Sequence, residues 1–345
     1  MDLSRVFVRG IGVVSPAGWD VSALRAALDR GVAMPDKDLV QPGFPRTLRV
    51  RSVPPPPTRP QFLSHARLRR SSPITQFSIS AALEALGPEI EPIRSGALRL
   101  GIIFCVMAGC VNYSRRFYGE SLHDPATASP LVFPETVFNA PASHLAAFLG
   151  STAASYTLVG DPGMFLVGLA TAADWLRERE VERCLVVGAE EIDWMVADVC
   201  WRFQRRTILS EGAGALYLSS QADQPAGCEL AAITDAHSFL QNRGRLQAAA
   251  AMRAQVPLQP DDLLCDSTQG IPGLDAAERR AWSDWTGARL SPKTVLGEGL
   301  AASSAWQCVA ALDALNRGPH SSATVSVVGC NQQAVAARFL TAAVP

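Results

Sequence analysis

The sequence predicts an α/β chain in which sheets and helices are stacked in layers. The first observation is a set of short apolar runs at Arg99 to Val106, Cys184 to Gly188 and Ala213 to Leu218. They have the length of strands and are apolar on both sides, as in a sheet covered on both faces. The second is the apolar stretch 164–178, with Phe165, Leu169, Ala172 and Leu176 at helical spacing. The third is a polar break from Ser219 to Gly227, after which strand and helix patterns alternate again.

Val6-Phe7-Val8 leads into Gly10-Ile11-Gly12-Val13-Val14-Ser15-Pro16, a buried strand ending at a turn that glycine permits. Residues 20–31 read as a helix with Val21, Leu24, Ala27 and Leu28 on one face. Residues 34–61, with prolines at 54–57, read as an extended surface loop. Residues 74–86 read as a buried helix through Ile74, Phe77, Ala81 and Leu83. Residues 107–128 mix aromatic and basic side chains without a period and read as irregular. After the break come a strand near 229–233, helices near 275–287 and 300–316, and a strand at 323–328.

With 345 residues, the chain is long enough for a sizeable core. Apolar residues make up 48% and charged residues 18%, which suggests much buried surface and a subunit interface. A net charge of -1 supplies no field for nucleic acid or an anionic membrane, and the basic run Arg67 to Arg70 is short enough to be a solvated face. No apolar run reaches the roughly 18 residues needed to span a bilayer. The chain opens Met1-Asp2-Leu3-Ser4-Arg5 and enters a strand directly, without a visible signal peptide. Cysteines 105, 110, 184, 200, 228, 265, 308 and 330 form no CxxC pair and no Cys/His ligand spacing. They read as reduced core thiols of a cytoplasmic protein, with no metal and no cofactor.

Several segments resemble, in order, those of β-ketoacyl-acyl-carrier-protein synthases. They are Val8-Arg9-Gly10-Ile11-Gly12-Val13-Val14-Ser15-Pro16-Ala17-Gly18, Phe133-Pro134-Glu135-Thr136-Val137-Phe138-Asn139-Ala140-Pro141-Ala142, Val186-Val187-Gly188-Ala189-Glu190-Glu191, Glu211-Gly212-Ala213-Gly214-Ala215, and Ser291-Pro292-Lys293 followed by Gly297. The resemblance implies the thiolase fold, an αβαβα five-layer sandwich of two similar halves, here 1–222 and 223–345 in one integrated unit. It also implies a dimer in which the strand after the nucleophile helix, here at 181–188, pairs across the interface.

A ketosynthase needs a cysteine nucleophile at a helix start and two histidines that promote decarboxylation and stabilise the oxyanion. By the same resemblance the cysteine position falls at Asp161 or Pro162, and neither is a thiol. Asp-Pro ahead of a helix reads as a cap with proline at the first helical position. A carboxylate nucleophile there has no supporting residues. Ser267 takes the place of the first histidine and Glu298 that of the second. Lys293 is retained, and alone it reads as an ion-pair partner. Gly329-Cys330-Asn331-Gln332-Gln333 replaces the family's glycine-rich phenylalanine gate, and the histidines at 65, 123, 144, 237 and 320 lie elsewhere. Cys265 and Cys330 fall near the former site and read as small buried thiols.

Such a chain is similar to the chain-length factors of type II polyketide systems, and its Met107 to Tyr118 stretch most resembles those of reducing systems that make aryl polyenes. That similarity implies a non-catalytic subunit without enzyme activity by itself. It would pair with an active ketosynthase, receive acyl carrier protein on the complex and line the tunnel for the growing chain. Met107, Gly109, Cys110, Tyr113, Phe117 and Tyr118 are the tunnel and interface candidates. Two other readings stay open. One is a stand-alone acyltransferase or hydrolase using Asp161, Ser267 or a cysteine; the other is a homodimeric scaffold that binds acyl carrier protein.

Overall fold

A computed structural model describes residues 5–221, 227–240, 243–257, 262–330 and 332–341. The first part contains β1 (Phe7–Val14), α1 (Val21–Arg30), β2 (Lys37–Leu39), β3 (Leu48–Arg51), α2 (Pro73–Leu86), α3 (Ile90–Arg94), β4 (Leu100–Val106) and α4 (Val111–His123). It continues with α5 (Ala140–Leu149), β5 (Ser155–Val159), α6 (Met164–Arg177), β6 (Arg183–Glu190), α7 (Trp194–Phe203), β7 (Leu209–Ser210) and β8 (Gly212–Ser219). The second part contains β9 (Cys228–Ile233), β10 (His237–Ser238), α8 (Arg245–Ala254), β11 (Leu263–Cys265), α9 (Pro272–Ala281), β12 (Arg289–Leu290), α10 (Pro292–Leu296), α11 (Ala301–Arg317), β13 (Ser322–Val328) and β14 (Gln333–Thr341).

The two parts repeat one topology. The first sheet runs β5-β4-β6-β8-β1 and the second β12-β11-β13-β14-β9. In each, the first three strands along the path are parallel and the remaining contacts antiparallel. The sheets meet where Phe7 and Val8 pair with Glu229 and Cys228. The expected boundary at 222/223 lies outside the described residues.

Side-chain alternation sorts the core into layers. Ile103, Cys105 and Val186 of the first sheet and Val325, Val327 and Phe339 of the second enclose α6 and α11. The opposite faces, through Ile102, Phe104 and Val187, pack on α2 and α5. Val328, Ala334 and Ala336 pack on α8 and α9. The result is the expected αβαβα sandwich. The inner strands are apolar throughout because both faces are covered. For the same reason α11 is buried all round, and the Nε1 of its Trp306 donates to the carbonyls of Val14 and Ala213, each at 3.1 Å. Gly10 and Gly12 let β1 lie against α2, because a Cβ at either position would collide with the Ala85 or Ala81 carbonyl.

Four expectations need correction. Residues 111–123 form α4, not irregular chain. None of its residues is buried, so no apolar period betrays it; the Arg116–Glu120 pair at 2.8 Å supports the helix from within, and Arg115 ties it to Asp193 at 2.9 Å. The proline-rich stretch contains β2 and β3, which form a small sheet with β7 through Val50 and Leu209. The strand after the nucleophile-position helix, β6, is interior, paired to β4 on one side and β8 on the other. It has no free edge to offer a partner. The free edge of the first sheet is β5, the strand before that helix, with Tyr156 and Val159 exposed. The helix near 275–287 is α9 and ends at Ala281.

Candidate functional site

β5 ends at Val159, and the chain turns through Gly160, Asp161 and Pro162 into α6. Asp161 is fully buried. Its carboxylate accepts from the Gly163 and Gln332 N–H groups, each at 3.0 Å, and its carbonyl accepts from Met164 at 2.8 Å. The carboxylate rests on Gly329, where a Cβ would collide with it. α6 begins at Met164 with Gly163 at its cap, so the expected cap at Asp161 with proline in the first helical position falls two residues early; the Asp161 carboxylate instead ties the β5–α6 turn to the β13–β14 turn. Asn331 lies outside the described residues.

Ser267 follows β11 and is buried. Its hydroxyl donates to Glu278 Oε2 at 2.5 Å and accepts from the Val328 N–H at 3.0 Å. Ser326 donates to the other carboxylate oxygen at 2.5 Å. Burial, then the charge of Asp266, pushes Glu278 up to about 7 against the pull of these donors.

Glu298 follows α10. Its Oε2 accepts from Lys293 Nζ at 2.8 Å and Gln269 Nε2 at 2.7 Å; its Oε1 accepts from the Leu300 N–H at 2.8 Å and the Ser303 hydroxyl at 2.9 Å. Burial is the largest influence on Lys293 and lowers its pKa, but the charge and hydrogen bond of Glu298, together with the neighbouring acidic groups, outweigh it and leave it raised. Leu300 sits at φ 50°, a conformation leucine rarely adopts, and the Glu298 carboxylate holds its N–H there.

The 107–118 stretch hangs from two acids at the end of β6. Glu190 accepts from the N–H groups of Met107 at 2.5 Å and Ala108 at 3.1 Å, and Glu191 accepts from those of Asn112 at 2.9 Å and Ile74 at 3.2 Å. Burial pushes Glu190 up to about 8 and Glu191 to about 7. Gly109 has φ 77°, and a Cβ there would strike the Phe138 ring. Cys110 is buried in the core beside Ser72. Tyr113 donates its hydroxyl to the Arg70 carbonyl, Phe117 stacks on Phe133 at 5.3 Å, and Tyr118 is exposed.

A cavity of about 500 Å³ opens between these elements, with Met107, Ser267, Glu298, Leu300 and Cys330 on its wall. The structure thus brings three of the sequence candidates, Met107, Ser267 and Glu298, to one space. Asp161, Pro162, Lys293, Gly109, Cys110, Tyr113, Phe117 and Tyr118 do not line it. Sequence reasoning missed Glu190, Glu191 and Glu278 as organisers; the paired acids directly after an apolar strand were a usable signal for the first two. Burial raises the thiols of Cys265 and Cys330 well above the usual value and that of Cys200 to about 11, so all three stay protonated and weakly nucleophilic. No cluster of metal-ligating side chains occurs among the described residues, and no helix there is long and apolar enough to cross a membrane.

No protein-family model matches the chain, and no curated protein matches it in sequence. Solved structures match along nearly its whole length. The ishigamide ketosynthase/chain length factor aligns with TM-score 0.79 and 18% identity over 98% of this chain and 100% of the other. The ketosynthase complex with its chain length factor from Xenorhabdus doucetiae aligns with TM-score 0.79 and 14% identity over 98% of both chains. A β-ketoacyl synthase from Burkholderia phymatum gives TM-score 0.80 and 15% identity over 98% and 100%. At these identities the likeness establishes the fold alone: the chain has the thiolase fold.

Proposed function

We propose that this chain is the non-catalytic, chain-length-factor-type subunit of a ketosynthase complex. It pairs with a catalytically complete ketosynthase, shapes the tunnel for a growing polyketide or polyene chain, and contributes to the surface on which acyl carrier protein docks. One observation carries the reading. The three positions where the chemistry would reside hold Asp161, Ser267 and Glu298, and each is tied into a buried structural network. Asp161 does not line the cavity at all. Two of the similar structures are described as ketosynthases with their chain length factors.

The free edge of β5 supports the assembly part of the reading. An exposed edge strand with apolar side chains invites pairing. α7 adds Met195, Val199 and Phe203, exposed at helical spacing, and the segment after α4 adds Leu131, Phe133 and Phe138. Soluble monomers rarely leave so much apolar surface uncovered. The test is co-expression with a ketosynthase that has an intact Cys/His/His set. A stoichiometric complex that condenses acyl and malonyl units, while neither chain does so alone, supports the proposal. A monodisperse monomer that ignores the ketosynthase counts against it.

A stand-alone acyltransferase or hydrolase is the second reading, and the Ser267–Glu278 contact is what favours it. A serine hydroxyl 2.5 Å from a carboxylate poised near 7 has the form of a nucleophile with its base. A serine-directed fluorophosphonate separates the two readings: labelling at Ser267 with loss of thioester turnover favours the enzyme, and absence of both favours the subunit.

A further inference from the structure

Arg245 opens α8 directly after Gly244. Its side chain is only 8% exposed. The guanidinium lies 5.3 Å from the Phe239 ring, and donates to the Cys330 carbonyl at 3.1 Å and the Val328 carbonyl at 3.4 Å. Its Nε has no hydrogen-bond partner, and no carboxylate among the described residues forms an ion pair with it. A helix N-terminus disfavours a cation, and a buried charge is costly without a counter-ion. The two carbonyls and the Phe239 ring hold the side chain in place, but none of them supplies a counter-charge.

Arg245 lines the cavity described above. The other charged groups on the wall are occupied. Glu298 is neutralised by Lys293, and Asp275 accepts from the N–H groups of Gln269 and Ile271 and lies 3.5 Å from Arg279. Glu278 is held by Ser267 and Ser326, and burial favours its protonated form. Much of the remaining wall is apolar, through Met107, Val199, Leu209, Leu274 and Leu300. The volume of about 500 Å³ is that of a small-molecule site.

We propose that this cavity binds an apolar carboxylic acid, with its carboxylate on the Arg245 guanidinium and its chain along the apolar wall. Two carbonyls use one N–H on each terminal nitrogen and Nε is buried, which leaves one N–H on each terminal nitrogen for a planar anion. Arginine suits this better than lysine because its fork matches a carboxylate at two points. The proposal concerns a site made by this chain alone, so it stands or falls separately from pairing with a ketosynthase.

The test is calorimetric titration of the full-length protein, alone or in its complex, with decanoate, decanol and acetate. Decanoate is expected to bind at one saturable site at least about tenfold more tightly than decanol, with no detectable heat from acetate. Arg245→Met should bring decanoate down to the decanol affinity and leave decanol unchanged. Arg245→Lys should fall between, since charge remains and the fork is lost. Leu274→Trp, which fills the cavity, should abolish both. Equal affinities of the native protein for decanoate and decanol, no saturable decanoate binding, or a decanoate affinity unmoved in Arg245→Met each overturns the proposal. If Arg245→Met does not fold, the decanoate–decanol gap in the native protein and its reduction in Arg245→Lys decide the matter.

Discussion

The Lys293 ammonium lies 2.8 Å from Glu298 Oε2, with 2% and 3% of the two side chains exposed. By the sequence resemblance, Glu298 stands at the position expected for the second ketosynthase histidine. A buried pair is weakly stabilising compared with apolar residues, but breaking it leaves a buried charge without a partner. Glu298→Leu alone should destabilise the protein by about 3–5 kcal/mol, and Lys293→Met with Glu298→Leu should recover most of that loss. Urea denaturation of the two singles and the double measures the coupling. Additive effects would mean that the pair is not the unit described.

Condensation should be absent from the isolated chain. No thiolate and no histidine line the cavity, and binding alone leaves only a small residue of a full catalytic set. Asp161 cannot substitute, because its oxygens already accept from Gly163 and Gln332. No acyl adduct should form at residues 161 and 162. Steady carbon–carbon bond formation, or an acyl mass increment on that peptide after incubation with loaded carrier protein, sinks this expectation.

Assembly should depend on β5. Tyr156 and Val159 are about half exposed on the free edge, so replacing them should spare the fold. Obligate interfaces bury roughly 2,000 Å² or more and are intolerant of charge at their centre. Tyr156→Arg with Val159→Arg should prevent co-purification with the ketosynthase while leaving the circular dichroism spectrum and melting transition intact. A variant that still forms the complex would move the interface elsewhere.

The layers were legible because both sheets are covered on two faces: continuous apolar runs such as Leu100 to Val106 can be little else. The repeat of strand order was not, because β11 and β12 are only three and two residues long and carry no period. α4 was invisible for the opposite reason, a helix with no buried face. At the site, the residues at the positions that the resemblance implies could be read directly, since residue identity needs no geometry. The replacement networks could not. Ser267 meets Glu278 and Asp161 meets Gln332 only through the fold, across 11 and 171 residues of chain.

Stability should carry the signature of Glu190. Its carboxyl is pushed up to about 8 in the folded protein from an ordinary value of 4.5. Between those values the folded protein holds a proton that the unfolded chain has released. Stability from this group is therefore complete below about 4.5 and is lost as pH rises to about 8. Glu191, pushed to about 7, adds to the same fall over a narrower window. Glu190→Gln keeps a neutral acceptor for Met107 and Ala108 and removes the titration. Its stability relative to the native protein should improve steadily in urea midpoints taken from pH 5 to pH 8. A constant difference across that range would contradict the assignment.

Product length should respond to Met107. Among the candidates of the 107–118 stretch, its side chain reaches the cavity wall, while its N–H is fixed by Glu190 at 2.5 Å. Added bulk at this position therefore enters the open space and leaves the backbone in place. Cys110→Trp would instead overfill the core beside Ser72, and a side chain at Gly109 would meet both a strained backbone and the Phe138 ring. A growing chain stops when the next two carbons no longer fit. Overpacking an apolar slot costs about 1–3 kcal/mol, which shifts a product ratio by roughly 5- to 150-fold. Met107→Trp should accordingly shorten the products of a reconstituted complex, and Met107→Ala should lengthen them, with the rate of the first condensation unchanged. Tyr118→Ala, at an exposed site off the cavity wall, serves as the control and should leave length unaltered unless the partner brings that ring into the tunnel. If both Met107 variants assemble, turn over and give the native distribution by mass spectrometry, this cavity does not measure the chain. The length-setting wall would then lie on surfaces such as Phe117 and Tyr118 that only the partner completes.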